Sequence, residues 1–438
     1  MKSKEDIHPE ASGRGERLHD KVVVIANPDS LFAYQLAESW KPYVQEVLIL
    51  TVPDFYQGPV APNGIPITST DEYVKPGQLS KWKKEARRIR KLEKLSYKVD
   101  GKKYRNAREN YVFESGLPSV RRPYLYGRQL AEALKHIRPD FVHVQEAFTF
   151  GGVSLFHQQS TVVIFPFGGD IYTHSQTSLF AHQYMKRVLR KAHLVMPSAE
   201  SAAGYLKERF SLDEEKIKPV SWGVDLSVFK RMESPAREET KAKLGIPSGR
   251  KVILNVRRFR PGWGALTALE TFIDLVKKYP GKYYCILLGG AGNDKQALND
   301  AVARLNSENL TDSIYLIQER ISLEEVSDLM GISDVFVNLM AKEDMRSSSI
   351  IQGAARGGVP VMVDQPEYRL MEADGFRSLF VSDQDPAQVA DTLHTLCQDK
   401  EKLRKMADDN IRYVTEKEDS RRQVKRMLEI VAEYNNKR

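Results

Sequence analysis

The chain of 438 residues predicts an α/β fold of two doubly wound, Rossmann-like domains facing each other across a cleft. Three observations carry this. Short apolar, β-branched runs alternate with longer segments of helical periodicity, the pattern of parallel strands and crossover helices. The alternation lapses in a polar stretch, Met232–Thr240, and begins again after Gly249, so a domain boundary falls near 230–250. Several strands run straight into glycine, serine or charged residues, and in an open parallel sheet such loops lie at the carboxyl edge, where ligands bind.

In the first domain, residues 21–230, strands are expected at Lys21–Ala26, Val47–Val52, Phe141–Val144, Val162–Phe165 and Leu194–Pro197. A helix follows Asn27–Ser30 and runs to about Tyr43, and another covers Gly127–Ile137. Residues 1–20 are rich in charge, Gly and His, hold no apolar signal-peptide core, and read as a mobile tail. The loop after Pro53 carries Pro59, Pro62, Gly64 and Pro66 and leads into the basic segment Lys75–Arg108. That segment holds 14 Lys/Arg and 3 Asp/Glu, a net +11, whereas the whole chain is +8, so everything else sums to −3. Trp82, Ala86, Ile89, Leu92 and Leu95 or Ser96 recur at helical spacing within it. A basic helix with one apolar stripe suits an anionic acceptor or an anionic membrane surface, or else packs that stripe on the first domain. No base-reading motif accompanies the charge, which ranks nucleic acid below those partners.

Overall composition, 41% hydrophobic and 28% charged, is that of a soluble globular protein. No apolar run approaches the roughly 20 residues of a membrane span. Two isolated cysteines, Cys285 and Cys397, point to a reducing compartment, so a cytoplasmic location is expected. The nine histidines do not pair with carboxylates or cysteines at ligand spacing, and no metal is expected.

The second domain, residues 245–415, is expected to place strands at Val252–Val256, Tyr284–Leu288, Ile314–Ile317, Val335–Asn338 and Val359–Val363. A last helical stretch, Asp419–Asn435, is expected within 416–438 and, as in proteins that resemble this chain, crosses back onto the first domain. The chemistry is expected between Ser333 and Arg369, where a strand leads through a loop with Glu343 and Asp344 to Ser347, Ser348 and Ser349 and a small-residue helix. Serines there are natural N-caps, and a helix start holds phosphate through its N–H groups and dipole. Arg258, at another strand's carboxyl end, can clamp a phosphate in bidentate fashion. The Gly289–Gly292 turn, including Gly290, lets backbone approach a ligand closely. Glu319 and Arg320 follow the next strand as polar candidates. Asp170 follows Gly168 and Gly169 in the first domain and reads equally as a sugar contact or a helix cap. Glu367-Tyr368-Arg369 is a cleft lip or a plain surface loop.

Taken together these stretches resemble glycosyltransferase family 4, the retaining GT-B enzymes that use sugar nucleotides. The resemblance spans roughly residues 140–415. The family's two acidic positions, separated by seven residues before an Ala-rich helix and a Gly-x-Pro-Val turn, fall on Asp344 and Gln352. Trp222-Gly223-Val224-Asp225 with Phe229 resembles its Asn-Gly-Val-Asp…Phe segment. Val256-Arg257-Arg258-Phe259 aligns with its Val-Gly-Arg-Leu strand end, and Phe167-Gly168-Gly169-Asp170 with its His-Gly-x-Asp turn. Three residues depart from the pattern: Gln352 for Glu, Trp263 for Lys and Phe167 for His.

The resemblance implies a retaining transfer of sugar from a nucleoside diphosphate donor to a hydroxyl acceptor, a glycan or lipid-linked molecule, in polysaccharide or glycoconjugate biosynthesis. It implies no metal. Asp344, Arg258 and Asp170 take the catalytic positions. Gly290, Arg320, Ser347, Ser348, Ser349 and Gln352 face the donor, and the acceptor enters near Asn27–Ser30 and Asp170. The three departures keep a rival open, a non-catalytic relative acting as a binding or scaffold subunit. An epimerase of the same fold would need a cleft histidine and carboxylate set that the sequence does not show.

Overall fold

The structure, a computed structural model, describes residues 18–438 apart from 28–30, 57–63, 74–76, 79, 83, 86, 88–115, 260–261, 290–293, 341–345 and 383–384. Asp344, Gly290 and most of the basic segment 75–108 therefore lie outside the described residues, as does the tail up to residue 17.

Six strands form the first sheet: β1 (His19–Ile25), β2 (Val44–Thr51), β3 (Ile67–Ser69), β4 (Phe141–Gln145), β5 (Thr161–Phe165) and β6 (Leu194–Val195). Their order is β3-β2-β1-β4-β5-β6, every neighbouring pair parallel. The second sheet contains β7 (Lys251–Asn255), β8 (Tyr283–Leu288), β9 (Ile314–Ile317), β10 (Val335–Asn338), β11 (Val359–Val363) and β12 (Leu379–Val381). It repeats the topology, β12-β11-β10-β7-β8-β9, again all parallel. Runs such as Val22–Ile25 are buried on both faces, as a sheet covered by helices on each side demands.

One face of the first sheet packs on the helices Gly116–Ile137, Leu179–Lys191 and Ser201–Phe210. The other face meets the Leu31–Trp40 helix and the last helix, Ser420–Lys437, whose Val424, Met427, Leu428 and Val431 join that core. The chain's end thus closes the first sheet after building the second.

Several expectations need correction. The first strand starts at His19, inside the stretch read as tail, because the buried His19 ring lies edge-on to Phe141 and hydrogen-bonds the Leu428 carbonyl. Edge strands β3 and β12 were not expected. Each has only three residues, too few for periodicity to reveal, and is held by pairing with a longer neighbour. The helix expected from Gly127 starts at Gly116 and accommodates Pro123. The polar stretch after Met232 contains a helix, Ser234–Lys243. Glu367-Tyr368-Arg369 is neither lip nor surface loop: it lies in the helix Pro366–Ala373, with Glu367 and Tyr368 buried. Trp82, the described large member of the basic segment's stripe, is also buried in the protein.

The connection between domains is tight. Gly223 has a φ of 69°, and a Cβ there would lie 2.5 Å from the Ser420 Cα and 2.7 Å from its nitrogen. Val224 N–H donates to the Glu418 carbonyl at 2.6 Å, and Ser420 N–H donates back to the Val224 carbonyl at 3.0 Å. Gly223→Ala is expected to destabilise the protein by more than the roughly 1–2 kcal/mol of a left-handed alanine alone. Urea unfolding checks this as a lowered midpoint.

Candidate functional site: the carboxyl edges of the two sheets

In the second sheet the chain passes from β7 outward in both directions, to β8 on one side and β10 on the other. The crevice between β7 and β10 is a topological switch point, where such sheets bind ligands. Each of these strands ends in a buried asparagine. Asn255 donates its side-chain N–H to the Val337 carbonyl (2.9 Å) and accepts from the Arg257 backbone N–H (2.9 Å). Asn338 accepts from Arg257 Nε at 2.9 Å, and Arg257 Nη2 donates to Ser347 Oγ at 2.8 Å. The guanidinium is thereby fixed at the start of the Ser348–Ala355 helix, whose dipole also attracts anions.

This differs from the expected arrangement in two ways. Ser347 precedes the helix but its hydroxyl does not cap it: Oγ accepts from Arg257 and pairs with Ser349 Oγ at 3.1 Å. Its backbone N–H donates to the Tyr368 hydroxyl at 3.1 Å. Arg257 is the arginine whose described hydrogen bonds reach this helix start, and the neighbouring Arg258 is exposed. Alternation of side chains past a strand end sends neighbouring residues in opposite directions. A motif alignment centred on position 258 could not reveal which arginine the asparagines would hold.

The remaining expected residues surround the same edge. Ser348 and Gln352 share a helix face, four residues apart, and both are half-buried. Arg320 is exposed in the loop after β9. Gly289 donates its N–H to the Ile317 carbonyl at 2.8 Å, at the carboxyl ends of β8 and β9. Gly264, with φ 80°, approaches the Leu339–Met340 backbone so closely that a Cβ would sit 2.4 Å from the Leu339 carbonyl. That contact brings the loop bearing Trp263 to the end of β10.

On the first sheet the edge is built differently. Asp170 is buried, and its Oδ2 accepts from the backbone N–H groups of Phe167 and Ala147, each at 2.9 Å. It ties the turn after β5 to the start of the short helix Ala147–Phe150 after β4, rather than capping the helix that follows it in sequence. Burial pushes its carboxyl up to about 7, against the pull of these N–H donors and with a further push from neighbouring Glu146. A folded-state value above the unfolded one means a stabilising contribution that is complete below about pH 4 and lost as pH rises through about 7. Wild type is therefore expected to lose melting temperature between about pH 4 and 7 and to level off above that, and Asp170→Asn to flatten that slope.

Glu146 itself escaped the sequence reading. It directly follows β4 with φ 57° and ψ 79°, a left-handed backbone unusual for glutamate, and its carboxyl is raised by burial and lowered by a Thr149 hydrogen bond. Strain of this kind gathers at ligand sites. The only sequence signal is an acid directly after a buried strand. Beside it Phe167 packs on Trp222 with ring centroids 5.5 Å apart, and Trp222 on Phe165 at 4.0 Å. The Phe167 and Trp222 positions, distant in sequence, form one aromatic wall. His174 lies edge-on to Phe148, and burial lowers it to about 4, so it is neutral.

Among the described residues no group of three or more His, Cys, Asp or Glu is placed to hold a metal ion, and no helix is long and apolar enough to cross a membrane.

Comparison with known proteins agrees with this architecture. Residues 236–413 match the family described as glycosyl transferases group 1, and residues 87–228 match Glycosyltransferase Family 4. Among curated proteins, a D-inositol 3-phosphate glycosyltransferase of Corynebacterium efficiens is 24% identical over 236 residues, 52% of this chain and 54% of that one. A protein of the same name from Nocardia farcinica is 23% identical over 231 residues, covering 50% and 48%. The chain thus spans about half the length of the curated relatives it matches. Similar solved structures include Anabaena HepE in complex with UDP-glucose, with TM-score 0.66, 13% identity, and coverage of 94% of this chain and 100% of that one. An E. coli structure described as trehalose-6-phosphate bound with UDP-2-fluoro glucose gives 0.68 and 13% over 94% and 99%. Two matched family segments flanking the hinge, on a pair of parallel sheets with identical strand order, place this chain in glycosyltransferase family 4, with the GT-B fold.

Proposed function

We propose that the protein transfers a sugar from a nucleoside diphosphate donor to a hydroxyl acceptor, retaining anomeric configuration. The observation that carries this reading is the Arg257 guanidinium, fixed by Asn338 and Ser347 at a helix start on the switch point. A departing diphosphate develops negative charge there, and a fixed cation with a helix dipole lowers the barrier to its departure. Ser348 and Gln352 offer hydrogen bonds to the nucleotide, with Arg320 on the far side, and Asp344 holds the donor sugar. Anabaena HepE, which shares the fold, is seen in complex with UDP and with UDP-glucose, which favours a uridine donor. In this reading the fixed guanidinium and the helix start do the electrostatic work that a divalent ion would otherwise do.

The acceptor hydroxyl faces the first sheet, at Glu146 and the Phe167–Trp222 wall, with Asp170 holding the turn beneath. Curated relatives are named for an inositol phosphate acceptor, a cyclic polyol with an anionic group. An anionic glycan or lipid-linked acceptor suits the exposed Arg121, Arg128, Arg187 and Arg190 on the first domain, beside exposed Leu179 and Phe180. In this reading the protein works at the cytoplasmic face of a membrane, in polysaccharide or glycoconjugate synthesis.

A thermal-shift and calorimetric screen of UDP, GDP, ADP and their sugars tests the reading. One nucleotide series is expected to stabilise wild type and not Arg257→Ala, with turnover of its sugar. The absence of binding by any of them would overturn the enzyme reading in favour of a scaffold protein.

A further inference from the structure

Arg346 stands between the donor edge and the junction of the two domains. It immediately precedes Ser347, the residue that receives Arg257. Its guanidinium is largely buried, at 14% side-chain exposure, between two carboxylates that are each only 1% exposed. Nη2 lies 2.6 Å and Nε 2.8 Å from Glu367 Oε1, and Nη1 lies 2.6 Å from Glu418 Oε1. One arginine therefore uses both edges of its fork on two different elements.

Neither carboxylate ends there. Glu367 Oε2 accepts the backbone N–H of Ser201 at 3.0 Å, at the start of a first-domain helix. Glu418 Oε2 accepts from the Ser221 hydroxyl, which itself accepts from the Gly223 N–H at 3.1 Å, in the connection between domains. Next to Glu367 on the same helix, Tyr368 is fully buried and receives the Ser347 N–H. The segment before the donor helix is thus held from both sides: Ser347 by Arg257 and Tyr368, Arg346 by a carboxylate pair anchored in the first domain and the hinge.

We propose that Arg346 is a positioning residue for the donor site, coupling the placement of Ser347 and Arg257 to the contact between the domains through Glu367 and Glu418. This rests on the diphosphate reading above. Binding at the Ser347 edge then depends on carboxylate contacts made elsewhere. Glu418, in the segment leading to the last helix, influences nucleotide affinity without belonging to the strand edge that binds it. A salt bridge serving only to hold the fold would leave that affinity alone.

The test uses the full chain with the nucleoside diphosphate that binds wild type, titrated by calorimetry at a temperature well below every variant's melting point. Arg346→Lys keeps the charge but loses the fork, and Glu418→Gln keeps the shape but loses the charge. Each is expected to weaken nucleotide binding about tenfold and to raise the donor KM more than it lowers kcat. The double variant is expected to be no worse than the weaker single one, since both remove the same link. Nucleotide affinity equal to wild type in both folded single variants, or fully additive losses, would overturn the proposal while leaving the diphosphate reading standing. If wild type binds no nucleotide, both fall together.

Discussion

Arg257→Ala is expected to lower kcat/KM for the sugar donor by about 10²–10³-fold, equivalent to roughly 2.7–4 kcal/mol of transition-state stabilisation, the scale measured when a fixed donor to a developing anion is removed. The physical basis is preorganisation. Asn338 and Ser347 already hold the guanidinium in place, so no rotamer freedom is lost as charge develops. Fall in kcat should exceed rise in KM, because the charge it meets is greater in the transition state than in the bound donor. Arg257→Lys should recover only part of the rate, since an ammonium cannot span Asn338, Ser347 and a phosphate together. Arg258→Ala is expected to cost at least tenfold less than Arg257→Ala. Steady-state kinetics on the three variants checks this order, and a larger loss at Arg258 would show that the motif alignment, not the hydrogen-bond geometry, had located the phosphate.

Arg346→Met is expected to be the most destabilising single substitution at the domain junction, by about 3–5 kcal/mol, because it strands two buried carboxylates without a cation. The lost attraction is the smaller part. Most of the penalty is uncompensated desolvation, and this can be separated experimentally. Adding Glu367→Gln and Glu418→Gln to Arg346→Met removes the charges left behind and should restore most of the stability. Burial already raises the Glu418 carboxyl even with Arg346 and Ser221 holding it down. Without the arginine it rises further, so the variant's deficit should shrink as pH falls toward the unfolded carboxylate value and widen as pH rises through the folded one. Urea titrations of the single and triple variants at pH 5 and 7.5 check both parts. A triple variant no more stable than the single one would mean that packing, not stranded charge, dominates.

Local information in the chain was enough for the α/β class, most long strands and the two-domain repeat. Runs such as Val22–Ile25 and Val359–Val363 are apolar throughout, and only a strand buried on both faces needs that pattern. The serine-led helix after Asn338 was legible for the same reason, since strand, polar loop and small-residue helix are contiguous. The pairings that make the site are not contiguous. Whether Arg257 or Arg258 meets Ser347 depends on two asparagines at the ends of strands 83 residues apart in numbering (Asn255 and Asn338), brought together by the parallel pairing of β7 with β10. Glu367 looked like part of a loop because its partners, Arg346 and Ser201, come from another turn and another domain. Asp170 looked like a local cap, yet one of its donors is 23 residues away. Hydrophobic periodicity is a property of neighbours along the chain. The destination of a buried charge is set by which strand ends and helix starts the topology gathers at one edge, and in this protein that edge was decided by tertiary structure.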